Sequence, residues 1–186
     1  MESKHPQELK KQLFQLLERE ALKKGDFVLS SGKTSTYYLD GLLITLSSEG
    51  AYLVAAIILD MVKNDAITAI GGPTLGADPI VGAVVCLSHF YRIPLKAFIV
   101  RKYAKEHGMQ RQIEGPPLNK KERVAIVDDV ATTGKAIVEA KAALDAVGAQ
   151  VVKAIVIVDR NEGARENLAQ AGVKLESIFT VSDFGL

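Results

Sequence analysis

Residues 124–137 read VAIVDDVATTGKAI: an apolar strand running straight into two aspartates, then two threonines and a glycine, then a segment with helical patterning. A buried strand that ends on adjacent negative charges needs a reason. In an open parallel sheet, ligands bind beyond the carboxyl ends of the strands, so Asp128 and Asp129 stand where a ligand would be held. The turn that follows, Ala131-Thr132-Thr133-Gly134, opens a helix whose first N–H groups and positive dipole end point into the same place. Such a turn suits a phosphate, with threonine hydroxyls as further donors. It is not a Walker A loop, because Lys135 follows Gly134 but the upstream glycine of GxxxxGK[ST] is missing. Two carboxylates beside an anion cradle would repel a bare phosphate. They make sense facing vicinal hydroxyls, or a Mg²⁺ carried on the same ligand, and a sugar phosphate meets both demands. A single aspartate would read as a strand end or a helix cap; the doublet followed by T-T-G asks for more.

The flanks of this stretch set the fold class. AITAIGG (66–72), PLKAFIV (94–100), RVAIVDD (123–129), AQVVKAIVIVD (149–159) and VKLESIFT (173–180) read as strands. Helical patterns over 48–63, 77–90, 134–148 and 162–172 alternate with them, the last two closed by Gly148 and Gly172. Apolar strands alternating with helices predict an α/β fold, a mostly parallel central sheet flanked by helices. Upstream, leucines at helical spacing predict a helix from Pro6 to Lys24, stopped by Gly25. FVL (27–29) and TYYLD (36–40) predict a hairpin-like pair of strands around SSGK. Tyr37 and Tyr38 alternate faces there, which puts at least one of them in the core.

The chain of 186 residues, 48% hydrophobic and 24% charged, is long enough to close a core of its own and reads as a single domain. A net charge of +1 gives no basic field for nucleic acid. No apolar run approaches the length of a membrane span, and the amphipathic N-terminus lacks the core of a signal peptide, so a cytoplasmic protein is expected. Cys86, the single cysteine, sits in the apolar run GAVVCLSHF and reads as a buried structural thiol.

One stretch breaks the alternation. RKYAKEHGMQRQIEGPPLNKKE (101–122) has no apolar periodicity and exceeds the roughly 2–6 residues of an ordinary α/β connection. It is charged and carries glycine, which predicts a mobile lid.

VAIVDDVATTGKA resembles the phosphoribosyl-pyrophosphate (PRPP) motif of the type I phosphoribosyltransferases. Three further stretches are similar to the orotate phosphoribosyltransferases of that superfamily: FVLSSGKTSTYYLD (27–40) to the hood, FIVRKYAKEHG (98–108) to the catalytic loop, and VDRNEGARENL (158–168) to the base-recognition segment. The resemblance implies transfer of a phosphoribosyl group from PRPP to orotate, giving orotidine 5′-monophosphate and pyrophosphate in pyrimidine (UMP) biosynthesis. It implies that residues 1–45 contribute the hood and that 101–116 form the catalytic loop. By the same likeness Asp128 and Asp129 hold the ribose hydroxyls, and Ala131, Thr132, Thr133, Gly134 and Lys135 the 5′-phosphate. Arg101, Lys102, Lys105 and His107 meet the pyrophosphate, in this family usually at the neighbouring subunit's site, which implies a homodimer. Lys105, His107 and Asp129 are the candidate catalytic residues. Thr132, Arg160 and the backbone at Tyr38 match positions that contact orotate. Mg²⁺ is the implied cofactor, held mainly through PRPP rather than by protein ligands.

Physical chemistry agrees with these roles. Pyrophosphate gathers negative charge as the C1′ bond breaks, so cations on a closing lid stabilise that state more than the ground state. Closure also excludes water from an oxocarbenium-like sugar. Arginine matches a planar carboxylate with two parallel hydrogen bonds. The chain departs from the pattern twice: Gly76 and Ser30 stand where some members carry lysine. Two rival readings are a phosphoribosyltransferase for another base, which would not need Arg160 for a carboxylate, and a non-catalytic PRPP-sensing regulator, which would want a basic patch or a reading helix.

Overall fold

The computed structural model describes residues 6–28, 34–103 and 112–186. Lys105, His107 and Ser30, with the SSGK turn, lie outside the described residues. The described elements run α1 (Pro6–Leu16), a π-helical turn (Leu17–Ala21), β1 (Leu22–Val28), β2 (Thr34–Leu39), α2 (Leu42–Thr45), α3 (Ser48–Val62), β3 (Ala69–Pro73), α4 (Ala77–Phe90) and β4 (Lys96–Val100). They continue with β5 (Ile113–Glu114), β6 (Arg123–Ala131), α5 (Lys135–Ala146), β7 (Gln150–Asp159), α6 (Ala164–Gln170), β8 (Leu175–Thr180) and a 3₁₀ turn (Val181–Phe184).

The main sheet has the order β5-β4-β3-β6-β7-β8, parallel throughout except for β5, which runs antiparallel to β4. Its central strands β3, β6 and β7 are largely buried on both faces, as a helix-covered parallel sheet requires. Alternation along β6 divides the core: Ala125 and Val127 pack with α1, α3 and α4, while Val124 and Ile126 pack with α5 and α6. The chain reverses direction across β6, since β3 and β4 lie on one side and β7 and β8 on the other. That switch point opens a crevice at the carboxyl end of β6. At the far C-terminus Phe184 stacks on Phe14 at 4.8 Å between ring centroids, fastening the last turn to α1.

The predicted strands and helices from Ser48 onward are present, with α3 capped by Ser47, whose hydroxyl accepts from Gly50 N at 3.1 Å. Three expectations are corrected. The first helix does not run to Lys24: it ends at Leu16, widens into the π turn that keeps Leu17 and Ala21 buried, and gives way to β1, whose Leu22 pairs with Leu39. Pairing with β2 overrides the local helical pattern, and Gly25 falls within β1 beside a register shift rather than stopping a helix. Cys86 is exposed, because α4 turns Ala77, Ile80, Val81, Val84 and Ser88 inward and leaves Cys86 and Phe90 on its apolar outer face. The stretch 101–122 is not all loop. Ile113–Glu114 add a short edge strand to β4, and Arg101 and Gln112 bond to each other (Arg101 N to Gln112 O, 2.9 Å), pinning the two ends of the intervening segment together. Among the described residues, no helix is long and apolar enough to cross a membrane.

Candidate active site

β6 delivers the aspartate pair to the sheet edge. Val127 is fully buried and Asp128 pairs with Val156 of β7, so the strand is fixed up to the point where its side chains turn polar. Asp129 N donates to Asp128 Oδ1 at 3.0 Å and Val130 N to Asp129 Oδ1 at 2.7 Å. Two glycines press on the pair. A Cβ on Gly41 would stand 2.6 Å from Asp129 Oδ2, and one on Gly76 would fall within 2.5 Å of both Asp128 Oδ1 and Asp129 Oδ1. The backbone of the 73–77 loop therefore approaches the acids in the space that any side chain at Gly76 would claim.

The acids are strained electrostatically. Burial pushes the Asp128 carboxyl well above the usual carboxylate range, and the neighbouring charge of Asp129 adds to it. Asp129 is raised as well, again chiefly by burial, with Asp40 contributing repulsion. Asp78, whose Oδ2 accepts from the Thr74 hydroxyl at 2.8 Å, lends further negative charge to Asp128. A site this acidic is prepared for donors: hydroxyl groups, a cation, or both.

Beside it Gly134 adopts φ 73°, a left-handed conformation that lets the chain turn from β6 directly into α5. Residues 130–137 and Asp128 enclose a cavity of about 170 Å³ at the start of α5. The turn is braced from α6, where the Asn167 side-chain amide donates to Thr133 O at 2.9 Å. A second cavity of about 370 Å³ adjoins it, sharing Lys135 and Ala136, and is lined also by Thr74, Arg101 and Lys102. The structure thus brings together Asp128, Asp129, the 131–135 turn, Arg101 and Lys102. Lys135 points mostly into solvent, 3.8 Å from Glu139.

Arg160 follows the end of β7, and its N–H donates to Ala131 O at 2.9 Å, tying it to the phosphate-type turn. Its guanidinium lies 4.6 Å from the centroid of the Tyr37 ring and donates from Nε to Glu162 Oε1 at 2.8 Å. Tyr38 turns the other way, its ring against Phe27 at 5.7 Å on the outer face of the hairpin, so only its backbone is available toward Arg160. The sequence reading missed Tyr37, Ser35, Glu162 and Gly41. The alternation of β2 put Tyr37 or Tyr38 in the core, but Tyr37 is only half-buried against Arg160 and Tyr38 is exposed, because β2 belongs to the separate two-stranded sheet; a glycine straight after TYYLD was the only signal for a close approach.

A family model described as phosphoribosyl transferase domain matches residues 44–186. Orotate phosphoribosyltransferase of Aquifex aeolicus is 44% identical over 177 residues, covering 94% of this chain and 96% of that protein. The Synechocystis protein of the same name is 43% identical over 176 residues, covering 95% of this chain and 88% of that one. The chain belongs to the orotate phosphoribosyltransferase family. Its fold is also that of solved members. The Mycobacterium tuberculosis orotate phosphoribosyltransferase in complex with Fe(III) dicitrate superposes with a TM-score of 0.84 at 36% identity, covering 96% of this chain and 99% of that one. The complex of the same enzyme with PRPP gives 0.80 at 31% identity, with the same coverage.

Proposed function

We propose that this protein transfers the 5-phosphoribosyl group of PRPP to N1 of orotate, releasing pyrophosphate and forming orotidine 5′-monophosphate, a step of pyrimidine biosynthesis. The observation that carries the reading is the acid pair Asp128–Asp129 set between a helix-N-terminal anion cradle and an arginine tied to the same turn. Asp128 and Asp129 accept hydrogen bonds from the ribose 2′- and 3′-hydroxyls. Backbone N–H groups of Ala131–Lys135 and the hydroxyls of Thr132 and Thr133 hold the 5′-phosphate. Arg160 pairs with the orotate carboxylate, with Thr132 and the Tyr38 backbone beside the ring. Arg101 and Lys102 face the pyrophosphate, and Lys105 and His107 of the 101–116 loop join them from a second subunit of a homodimer. These cations act on charge that develops as C1′–O cleaves.

The donor set fits Mg²⁺ brought in by PRPP. The repulsion that Asp129 adds at Asp128, and Asp40 at Asp129, would be relieved by a cation carried on the ligand. Bound with PRPP, Mg²⁺ would supply neutralisation of the pyrophosphate oxygens. No other step is assigned to it. The test is incubation with PRPP, Mg²⁺ and orotate while orotate absorbance is followed. Loss of absorbance that requires all three supports the reading; no loss with orotate but turnover with another base retains the PRPP site and refutes the assignment of Arg160.

A further inference from the structure

Arg160 is held on three sides. Nε is taken by Glu162 Oε1 at 2.8 Å, the Tyr37 ring covers one face at 4.6 Å from centroid to Cζ, and Nη2 stands 3.5 Å from Ser35 Oγ. The Ser35 hydroxyl is itself oriented, donating to Tyr37 O at 2.7 Å, so stack and corner contact come from one strand. The Arg160 side chain is only 9% exposed. A pair two residues apart in sequence would ordinarily be a solvated surface contact of little consequence. At this burial it fixes the plane of the guanidinium. With Nε committed and a face covered, the Nη1–Nη2 edge is what remains to meet a planar carboxylate with two parallel bonds.

We propose that Glu162 and Tyr37 are positioning residues that lock Arg160 in the orientation its carboxylate ligand needs, and so set the preference for a carboxylate-bearing base. This rests on the orotate reading above. A long arginine stem normally surrenders rotamer freedom when its head is captured; a head already stacked and bonded surrenders less. Glu162 also offsets the charge of Arg160, so affinity at this edge comes from geometry rather than from an unscreened cation. The lock therefore depends on an acceptor at Nε and a ring face at Tyr37, not on the Glu162 charge or the Tyr37 hydroxyl.

Four variants separate these contributions: Glu162→Ala, Glu162→Gln, Tyr37→Leu and Tyr37→Phe, each checked for an unchanged melting profile. Glu162→Ala and Tyr37→Leu are expected to raise KM for orotate about 10- to 100-fold, the loss of one charge-assisted or stacking contact, with KM for PRPP within about twofold. Glu162→Gln and Tyr37→Phe, which keep the acceptor and the ring face, should restore orotate KM to within a few-fold of the parent. Proton–nitrogen NMR of the ligand-free protein gives a readout without turnover: the Arg160 Nε–H signal should be resolved in the parent and in Glu162→Gln, and averaged in Glu162→Ala. Unchanged orotate KM in Glu162→Ala, or an equal rise in both KM values, overturns the proposal. So does an Arg160 Nε–H signal that Glu162→Ala leaves untouched. A parent protein that does not turn over orotate overturns the functional reading instead, while the NMR comparison still judges the lock.

Discussion

Replacing Asp128 by Asn should stabilise the ligand-free protein while damaging its function, and the effect should depend on pH. A Cβ on Gly76 would lie within 2.5 Å of Asp128 Oδ1 and of Asp129 Oδ1, so these oxygens are no more than about 5 Å apart. Two unit charges at about 5 Å repel by about 3 kcal/mol at an effective dielectric near 20, and by under about 1 kcal/mol in bulk water. Asn keeps an oxygen to accept from Asp129 N, although a neutral acceptor is weaker than a charged one. A net gain of about 1–2 kcal/mol follows at pH 7, worth about 3–6 °C in Tm for a chain of this size. The sign with pH is fixed by linkage. Burial and Asp129 raise the folded carboxyl above its unfolded value, so the native state binds the extra proton and the parent loses stability as pH rises through that window. Below the unfolded value, about 3.9, Asp128 is neutral in both states and the advantage of Asn should vanish. Scanning calorimetry of parent and variant between about pH 3 and 8 measures the gap. An Asn variant that melts at or below the parent at pH 7, or a gap that does not close in acid, would refute the placement of two mutually repelling acids at this strand end. In the same preparation KM for PRPP should rise, since the ribose hydroxyls lose a charged acceptor.

Gly76→Ala should lower kcat/KM for PRPP about tenfold and also cost about 1–3 kcal/mol, because the Asp128 and Asp129 oxygens it displaces accept from Asp129 N and Val130 N; steady-state kinetics beside a melt tests this. Gly72→Ala should strike the backbone instead of the acids: its Cβ would collide with Val127 O and lie 2.8 Å from the Ala77 Cβ, both fixed by β6 and α4, costing about 3 kcal/mol or more in urea unfolding. Lys153, 6% exposed, bonds Asp65 at 2.6 Å and Glu176 at 3.0 Å at the end of the sheet away from the site. Lys153→Ala leaves Asp65 without this cation, Glu176 with Lys174 alone, and Met61 O without its donor, and should cost about 3 kcal/mol, read by the same unfolding assay, with KM values unchanged. Lys105→Ala should lose about 10²–10³ in turnover; full activity in that variant would remove Lys105 from the lid's chemistry.

The site was legible where chemistry is written in consecutive residues. Asp128, Asp129 and the turn to Gly134 form one strand–turn–helix unit, so their types and order already state a polar strand end beside an anion cradle. The helices α3 and α4 were legible for a similar reason: Ser47 and the apolar spacing act within a few residues, and the structure places both within a residue of expectation. Cys86 failed because α4 is apolar on both faces, and periodicity cannot tell which of two apolar faces meets the core. The first helix failed because the residues after Ala21 pair with β2, Leu22 with Leu39, a partner further along the chain than local pattern weighs.

The same distance separates the two halves of the proposed base site. Arg160 and Ser35 are 125 positions apart, yet they come within 3.5 Å because the hairpin is laid across the carboxyl end of β7. No spacing rule links them. What sequence offered was an arginine after a strand and two tyrosines of unknown facing; the fold chose Tyr37 by making 35, 37 and 39 the half-buried side of β2. The acids proposed to hold the sugar phosphate are thus specified by one contiguous segment, whereas the groups around Arg160 are assembled from the hairpin and the β7–α6 turn. Substitutions in the hairpin should therefore shift the choice of base with little effect on PRPP, and substitutions around Gly76 and Gly41 should do the reverse.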